Sequence, residues 1–273
     1  MPTAVVTGAG SGIGRAIALE LARRGYLVHV TDVDAEAASR TADEVGEGAR
    51  AAALDVGDEG ACRALAAEIA EQSGLDLWVN NAGILVTGPA WTQDEPTRRR
   101  MLEVNALGTM NGTVAALEPM IATGAGHVIN LISLAGIVAA PGEVSYSASK
   151  HAAIAFTLGT LFDLRRAGIE GVELSAVCPD GAWTPMLQDK LDDPNAAGSF
   201  SGQLLRPEQI ATAVGRLTER PRPLVIIPRW RGVQLRLLDL FPRLTLRLLP
   251  LALGDARRKQ RRYKKLIEAG RWP

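Results

Sequence analysis

The chain has 273 residues, 47 % of them hydrophobic, and equal numbers of basic and acidic residues, so its formal net charge is zero. This composition suits a globular protein with an ample core, and it excludes a disordered or disulfide-dense chain. The two cysteines, Cys62 and Cys178, lack metal-ligand spacing, no apolar run reaches 18 residues, and no basic leader precedes the first strand. A reducing, cytoplasmic setting is therefore expected, with no spanning helix, no metal site and no nucleic-acid module.

Residues 3–7 read as a short buried strand, followed by Gly8-Ala-Gly-Ser-Gly-Ile-Gly14 and a helical stretch to about Gly25. Strand, glycine turn and helix together present backbone amides and a helix N-terminus to a pyrophosphate. Gly8, Ser11, Gly12, Ile13 and Gly14 are thus candidate cofactor contacts, in a Gly-x-x-x-Gly-x-Gly spacing rather than Gly-x-Gly-x-x-Gly. A second strand from Leu27 ends in Asp32, whose carboxylate falls at the right distance to bond both hydroxyls of an adenosine ribose. Val33 follows, and neither it nor Ser11 offers a cation for a 2′-phosphate, so NAD is favoured over NADP; Arg15 is the nearest cation. A third strand, 50–54, runs into Asp55-Val56, an expected adenine contact. A helix over 59–73 and a fourth strand, 75–79, then lead into Asn80-Asn-Ala-Gly83.

Further on, the apolar run from His127 to Ile132 ends at Ser133, a hydroxyl at the strand end where open α/β sheets bind ligands. Thirteen residues later come Tyr146 and Lys150, four apart and so one turn from each other on a helix face. A free tyrosine has a pKa of about 10. Lowering it by ~3 units takes roughly 4 kcal/mol of preferential interaction with the phenolate, which a nearby ammonium in a site of reduced dielectric can supply. Tyr146 then becomes a general acid or base.

With the glycine loop, Asp32, Asn80-Asn-Ala-Gly83, Ser133 and the Tyr146/Lys150 pair in this order, residues 3–228 resemble the short-chain dehydrogenase/reductase family. The resemblance implies an α/β fold of three layers, a Rossmann-type doubly wound parallel sheet of seven strands in the order 3-2-1-4-5-6-7. It implies that Ser133, Tyr146 and Lys150 are catalytic, with Asn105 as a fourth member holding a water in a proton relay to the lysine. It assigns Asn81, Ala82 and Gly83, and Tyr146 and Lys150 again, to the cofactor. Homodimers or homotetramers are implied too. The pattern breaks after the sixth strand, at Pro179-Asp-Gly-Ala-Trp-Thr184. Asp180 stands in place of a glycine, and Ala182 in place of the branched residue that meets the carboxamide. Ala182 and Thr184 are still expected to bind the cofactor, and Asp180 with Trp183 to reshape substrate choice.

The activity implied is NAD(H)-dependent interconversion of a secondary alcohol and a ketone. The apolar segment 134–141 and a lid over 186–205 point to a lipophilic substrate. His29, His127 and His151 read as packing residues, and Arg98–Arg100 as a solvated face. A second part, 229–273, holds thirteen Lys/Arg and three Asp/Glu, a local charge of +10 against −10 for the rest. Val233, Leu237, Leu240, Phe241, Leu244, Leu248 and Leu251 recur at helical spacing, with Pro242 and Pro250 expected to break the segment into two or three short helices. It either covers the pocket, joins a neighbouring subunit or lies on an anionic membrane. Two other functions fit as well: a catalytically silent NAD-binding regulator, and a peripheral membrane-surface protein using its basic end.

Overall fold

The computed structural model describes residues 1–271. Strand β1 (Thr3–Thr7) leads to helix α1 (Gly12–Arg23), β2 (Leu27–Asp32), α2 (Ala35–Val45), β3 (Ala49–Ala53), α3 (Glu59–Ser73) and β4 (Leu77–Asn80). Next come α4 (Glu95–Leu102), a π-helical turn (Glu103–Leu107), α5 (Gly108–Thr123), β5 (Gly126–Leu131), α6 (Val144–Arg166) and β6 (Val172–Pro179). The short α7 (Pro185–Gln188), a 3₁₀ stretch (Pro194–Phe200), α8 (Pro207–Leu217), β7 (Leu224–Ile227), α9 (Arg229–Asp239) and α10 (Pro242–Glu268) complete the order. The seven strands form one parallel sheet in the order 3-2-1-4-5-6-7, as the resemblance implied.

Period-two alternation builds the layers, because successive strand side chains point to opposite faces. Ala4, Val6, Val28, Val30, Val79 and Ile129 meet α1, α2 and α8 on one face. Val5, Trp78, Val128 and Leu174 meet α3, α5 and α6 on the other. The second face also carries a buried amide network. Trp78 Nε1 donates to Asn80 Oδ1 (2.7 Å), Asn80 Nδ2 to Asn130 Oδ1 (2.8 Å), and Asn130 Nδ2 to Thr157 Oγ1 (2.8 Å). It pins β4 and β5, the strands that carry the site, to α6. β1 pairs with both β2 and β4, so the sheet order reverses beside β1 and opens a crevice at the carboxyl ends of the strands.

Strand β4 begins two residues later than expected. Asp76 is held in the preceding turn, where its carboxylate accepts from Thr3 N at 2.7 Å. A larger correction concerns α10, which runs 27 residues straight through Pro250. A proline there removes one helical hydrogen bond, that to Leu246 O. Packing of the following turns, through Ala256 and Gln260, outweighs that loss. Pro242 does act as a boundary, at the first position of α10.

Candidate active site

The glycine loop emerges from β1 and passes under β2 and β4. Gly12 has φ +54°, and a Cβ there would lie 3.2 Å from Thr184 Cγ2, so only a bare backbone fits between the loop and the segment after β6. A Cβ on Gly14 would lie 2.3 Å from Gly8 O, which makes that glycine a close-packing position inside the loop rather than a surface of the cleft. The amides at the start of α1 have no side-chain cap from Ser11 and no acidic residue in the first turn. Those of α2 and α3 are already taken by Asp34 and Asp58. An uncapped, uncharged helix start behind a bare loop fits a pyrophosphate.

The cleft above this loop is lined by Gly8, Ser11, Gly12 and Ile13, by Asp32, by Asp55 and Val56, and by Asn81, Ala82 and Gly83. Asp32 Oδ2 accepts from Gly10 N (2.9 Å), so the same carboxylate that faces the cleft also sets the loop. Asn81 Nδ2 donates to Thr7 O and Gly8 O, both at 2.9 Å, and fixes the loop from the other side. Asp55 accepts from Gly57 N at 2.9 Å and pairs with Arg100 at 3.3 Å. That amide and the guanidinium hold its carboxyl below the usual range, against the opposing effect of burial. Arg100 therefore lines the cleft instead of belonging only to a solvated face, whereas Arg99 does pair outward with Glu95. Arg15 is turned to Glu44, its Nε 2.7 Å from Oε2.

A second, largely apolar cavity of about 280 Å³ adjoins the first. Tyr146 lines both. Ser133 lines only the apolar cavity, and Lys150 only the cleft over the glycine loop. Tyr146 sits in the first turn of α6, and Lys150 follows one turn later, its Nζ 5.7 Å from the tyrosine ring centre and donating to Leu131 O at 3.3 Å. Asn105 lies in the π-helical turn, fully buried. Its side chain accepts from Ile84 N (2.8 Å) and donates to Ile84 O (2.9 Å) and Ser149 Oγ (3.1 Å). A π-turn sets one residue out of the α-helical repeat, and here it lets Asn105 tie the exit of β4 to α6. Of the last two expected contacts, Thr184 faces both cavities and Ala182 lines the apolar one.

The electrostatics differ from the expectation in one respect. Burial holds the Tyr146 phenol above its ordinary value, the Glu143 carboxylate adds to this, and a hydrogen bond with Ser133 opposes it. Burial also pulls Lys150 down to about 8. The loss of water around the phenol outweighs the Ser133 hydrogen bond and favours the neutral form, which is the acid. His151 caps nothing catalytic; its Nδ1 lies 2.8 Å from Ser147 O in the same helix. His127 Nε2 lies 2.8 Å from Ser175 Oγ in the neighbouring strand. No cluster of metal-ligating side chains exists among the described residues.

Sequence reasoning missed two features. Glu143 lines the apolar cavity, is buried, and accepts from Ser199 Oγ in the 3₁₀ stretch at 2.6 Å. Burial raises it from the carboxylate range to about 7. Its one sequence signal is a carboxylate inside an otherwise apolar segment. The partner of Asp180, a residue of the cavity lining, is the second. Asp180 is buried and pairs with Arg231 Nε at 3.0 Å, while Arg231 also donates to Ser201 Oγ (2.5 Å) and Gln234 Oε1 (2.8 Å). Burial raises the Asp180 pKa and the guanidinium opposes the shift. The cavity's outer wall comes from α9 and α10, through Leu235, Leu238, Leu249 and Leu253, so the segment after β7 covers the pocket, one of the alternatives expected for it. Gln260 Nε2 then fastens α10 to Lys190 O (2.9 Å) and Asp193 O (2.8 Å), between α7 and the 3₁₀ stretch.

Residues 2–195 match the family model described as short chain dehydrogenase. The chain belongs to the short-chain dehydrogenase family. The Mycobacterium tuberculosis protein SadH is 31 % identical, over 98 % of this chain and 94 % of its own, so that alignment takes in the segment after β7. Cyclopentanol dehydrogenase of Comamonas sp. is 34 % identical over 77 % of this short-chain dehydrogenase and 86 % of its own length. Among solved structures, a short-chain dehydrogenase/reductase from Burkholderia phymatum in complex with NAD superposes with a TM-score of 0.80 at 28 % identity, covering 89 % of this chain and 95 % of that one. Another matched structure holds NADP at low occupancy.

Two outcomes follow for this short-chain dehydrogenase. Arg231→Leu strands a buried carboxylate and should cost roughly 3–5 kcal/mol in urea unfolding, whereas the double change Arg231→Leu with Asp180→Gly should recover much of it. A loss under 1 kcal/mol for the single change would mean that the pair is not closed to water. Glu143 has a raised pKa in the folded chain, so its contribution is present at low pH and lost as pH rises through about 7. Between pH 5 and 8, wild type should lose about 2–3 kcal/mol more stability than Glu143→Gln. Parallel pH profiles would refute that assignment.

Proposed function

We propose that this short-chain dehydrogenase is an NAD(H)-dependent oxidoreductase interconverting a lipophilic secondary alcohol and its ketone. The observation that carries the reading is Tyr146, placed where an apolar cavity meets the cleft over the glycine loop, with Ser133 on the first side and Lys150 on the second. In the reductive direction the Tyr146 phenol gives its proton to the carbonyl oxygen as charge develops there, and Ser133 donates a second hydrogen bond that orients it. In the oxidative direction the Tyr146 phenolate takes the hydroxyl proton. Lys150 would hold the nicotinamide ribose and, as a cation, favour the phenolate; Asn105 holds the loop after β4 against α6 behind them. A nicotinamide held there would supply the hydride chemistry.

Support for NAD comes from Asp32 in the cleft, from Val33 after it, and from the engagement of Arg15 by Glu44. Support for an apolar substrate comes from the leucines of α9 and α10 and from Leu134, Val138 and Ala139 on the opposite wall. The cyclopentanol dehydrogenase relative points to the same class of alcohol. Family membership favours assembly as a homodimer or homotetramer, and two buried, unpaired cysteines suit the cytoplasm.

Turnover with NAD and a panel of apolar secondary alcohols tests the reading directly. Tyr146→Phe should lower kcat by ~100-fold or more while leaving cofactor affinity nearly intact. Retention of most of the activity would sink the mechanism. NAD(H) should bind at least ~10-fold more tightly than NADP(H), a gap of roughly 1.4 kcal/mol, and Asp32→Ala should narrow it by weakening NAD. Equal affinities in isothermal titration would overturn the choice of cofactor.

A further inference from the structure

Of the seven apolar residues that recur at helical spacing after β7, only Leu248 lines the cavity. Val233, Leu237, Leu240, Phe241, Leu244, Leu248 and Leu251 are all between 42 % and 73 % exposed. The inward side of the same helices is a different set, Leu235, Leu238, Leu249 and Leu253, so the segment is apolar on both sides. Burial against the body accounts for one side only. On α9, Trp230, Val233 and Leu237 form the outward row, and Leu240 continues it at the helix end. On α10, Leu244, Leu248 and Leu251 are followed, at the same spacings of three, four and seven residues, by Arg258, Arg262 and Lys265. One face of one helix therefore runs from apolar to cationic. Arg236, Arg243 and Arg247 are exposed beside the apolar part.

We infer that this outward face of α9 and α10 is a docking surface for an anionic lipid bilayer. An apolar row flanked by cations gains from burial among acyl chains and from attraction to anionic headgroups, the second worth about 1 kcal/mol for each basic residue near the surface. The segment lies on the bilayer rather than through it, since no helix among the described residues is long and apolar enough to cross. Charge decides against pairing of this face with the same face of a second copy. The segment carries thirteen basic and three acidic residues, so self-pairing through this face brings like charges together. A soluble polyanion would match the cations and leave the leucines in water. The fastening of α10 by Gln260, and of α9 by Arg231, means that the face is preformed, with no helix left to order on binding. Leu248 belongs to both the outward row and the cavity wall. On the proposed reading of the cavity, a membrane-dissolved substrate then has a short path into the site.

The test needs no turnover, so it stands or falls apart from the enzymatic reading. The full chain is sedimented with phosphatidylcholine vesicles made with or without phosphatidylglycerol, at low and high salt, and its oligomeric state is followed by analytical ultracentrifugation. Intact protein should bind the anionic vesicles at least ~10-fold more tightly than the neutral ones, and should release as salt shortens the Debye length from ~10 Å at 0.1 M to ~3 Å at 1 M. Leu240→Gln with Phe241→Gln, and separately Arg258→Glu with Arg262→Glu, should each lose ~10-fold or more in binding, with circular dichroism and thermal midpoint unchanged. Three results would each overturn the proposal. The first is no binding to anionic vesicles at low salt. The second is full binding by the leucine–phenylalanine variant, which leaves charge alone. The third is a variant whose vesicle binding is unchanged but whose oligomer dissociates, which makes the face a subunit contact.

Discussion

Two opposite charges withdrawn from water must face each other, and in this chain that constraint joins Asp180, in the loop after β6, to Arg231 in the first turn of α9. The loop is one wall of the cavity and the helix begins another. Gly202 completes the fit, because a Cβ there would lie 1.9 Å from Asp180 Oδ2. A glycine at position 180 could not anchor anything. With aspartate there, the segment after β7 is fixed over the site, and its leucines define an apolar space opposite Ser133 and Tyr146. Lys259 donating to Ser201 O at 2.8 Å and Gln260 reaching Lys190 O and Asp193 O extend the same fastening along α10 to the segment between α7 and α8.

Within that enclosure the proposed catalytic arrangement depends on partition. One phenol borders two spaces of different polarity, and each neighbour faces only one of them. Burial of Tyr146 and Lys150 works against charge on either group, pushing the phenol up and the ammonium down to about 8. Proton transfer is then easiest where a developing alkoxide or a positive ring tips the balance, which is at the junction itself. The buried Glu143, three residues before Tyr146 and bonded to Ser199, ties the electrostatics of this corner to the position of the 3₁₀ stretch.

Much of this was legible in the residues because the decisive signals are local. A glycine loop between strand and helix, a carboxylate at the end of the next strand and a tyrosine one turn before a lysine each lie within a few tens of residues, and the structure brings them to one crevice. The strand order came with the family resemblance, which supplied a topology that periodicity alone does not encode. What stayed hidden depends on partners far apart in sequence. Asp180 and Arg231 are separated by 51 residues, and nothing near either announces the other. The apolar stripe after β7 was visible, but its direction was not: a helix with leucines on both sides carries no sign of which faces inward. Pro250 misled for a related reason, since a local rule about helix breaking was outweighed by packing of the turns beyond it.

The account rests on a composite site, with the substrate oxygen at Tyr146 and Ser133 and its carbon frame against the helices after β7. A crystal structure of the full chain with NADH and an apolar secondary alcohol, a pair that cannot react, tests this most directly. The alcohol oxygen should lie within about 3.2 Å of both Tyr146 Oη and Ser133 Oγ, with its carbon skeleton against Leu238 and Leu249. An alcohol bound with its oxygen away from Tyr146, or a complex in which α9 and α10 have left the cavity wall, would contradict it.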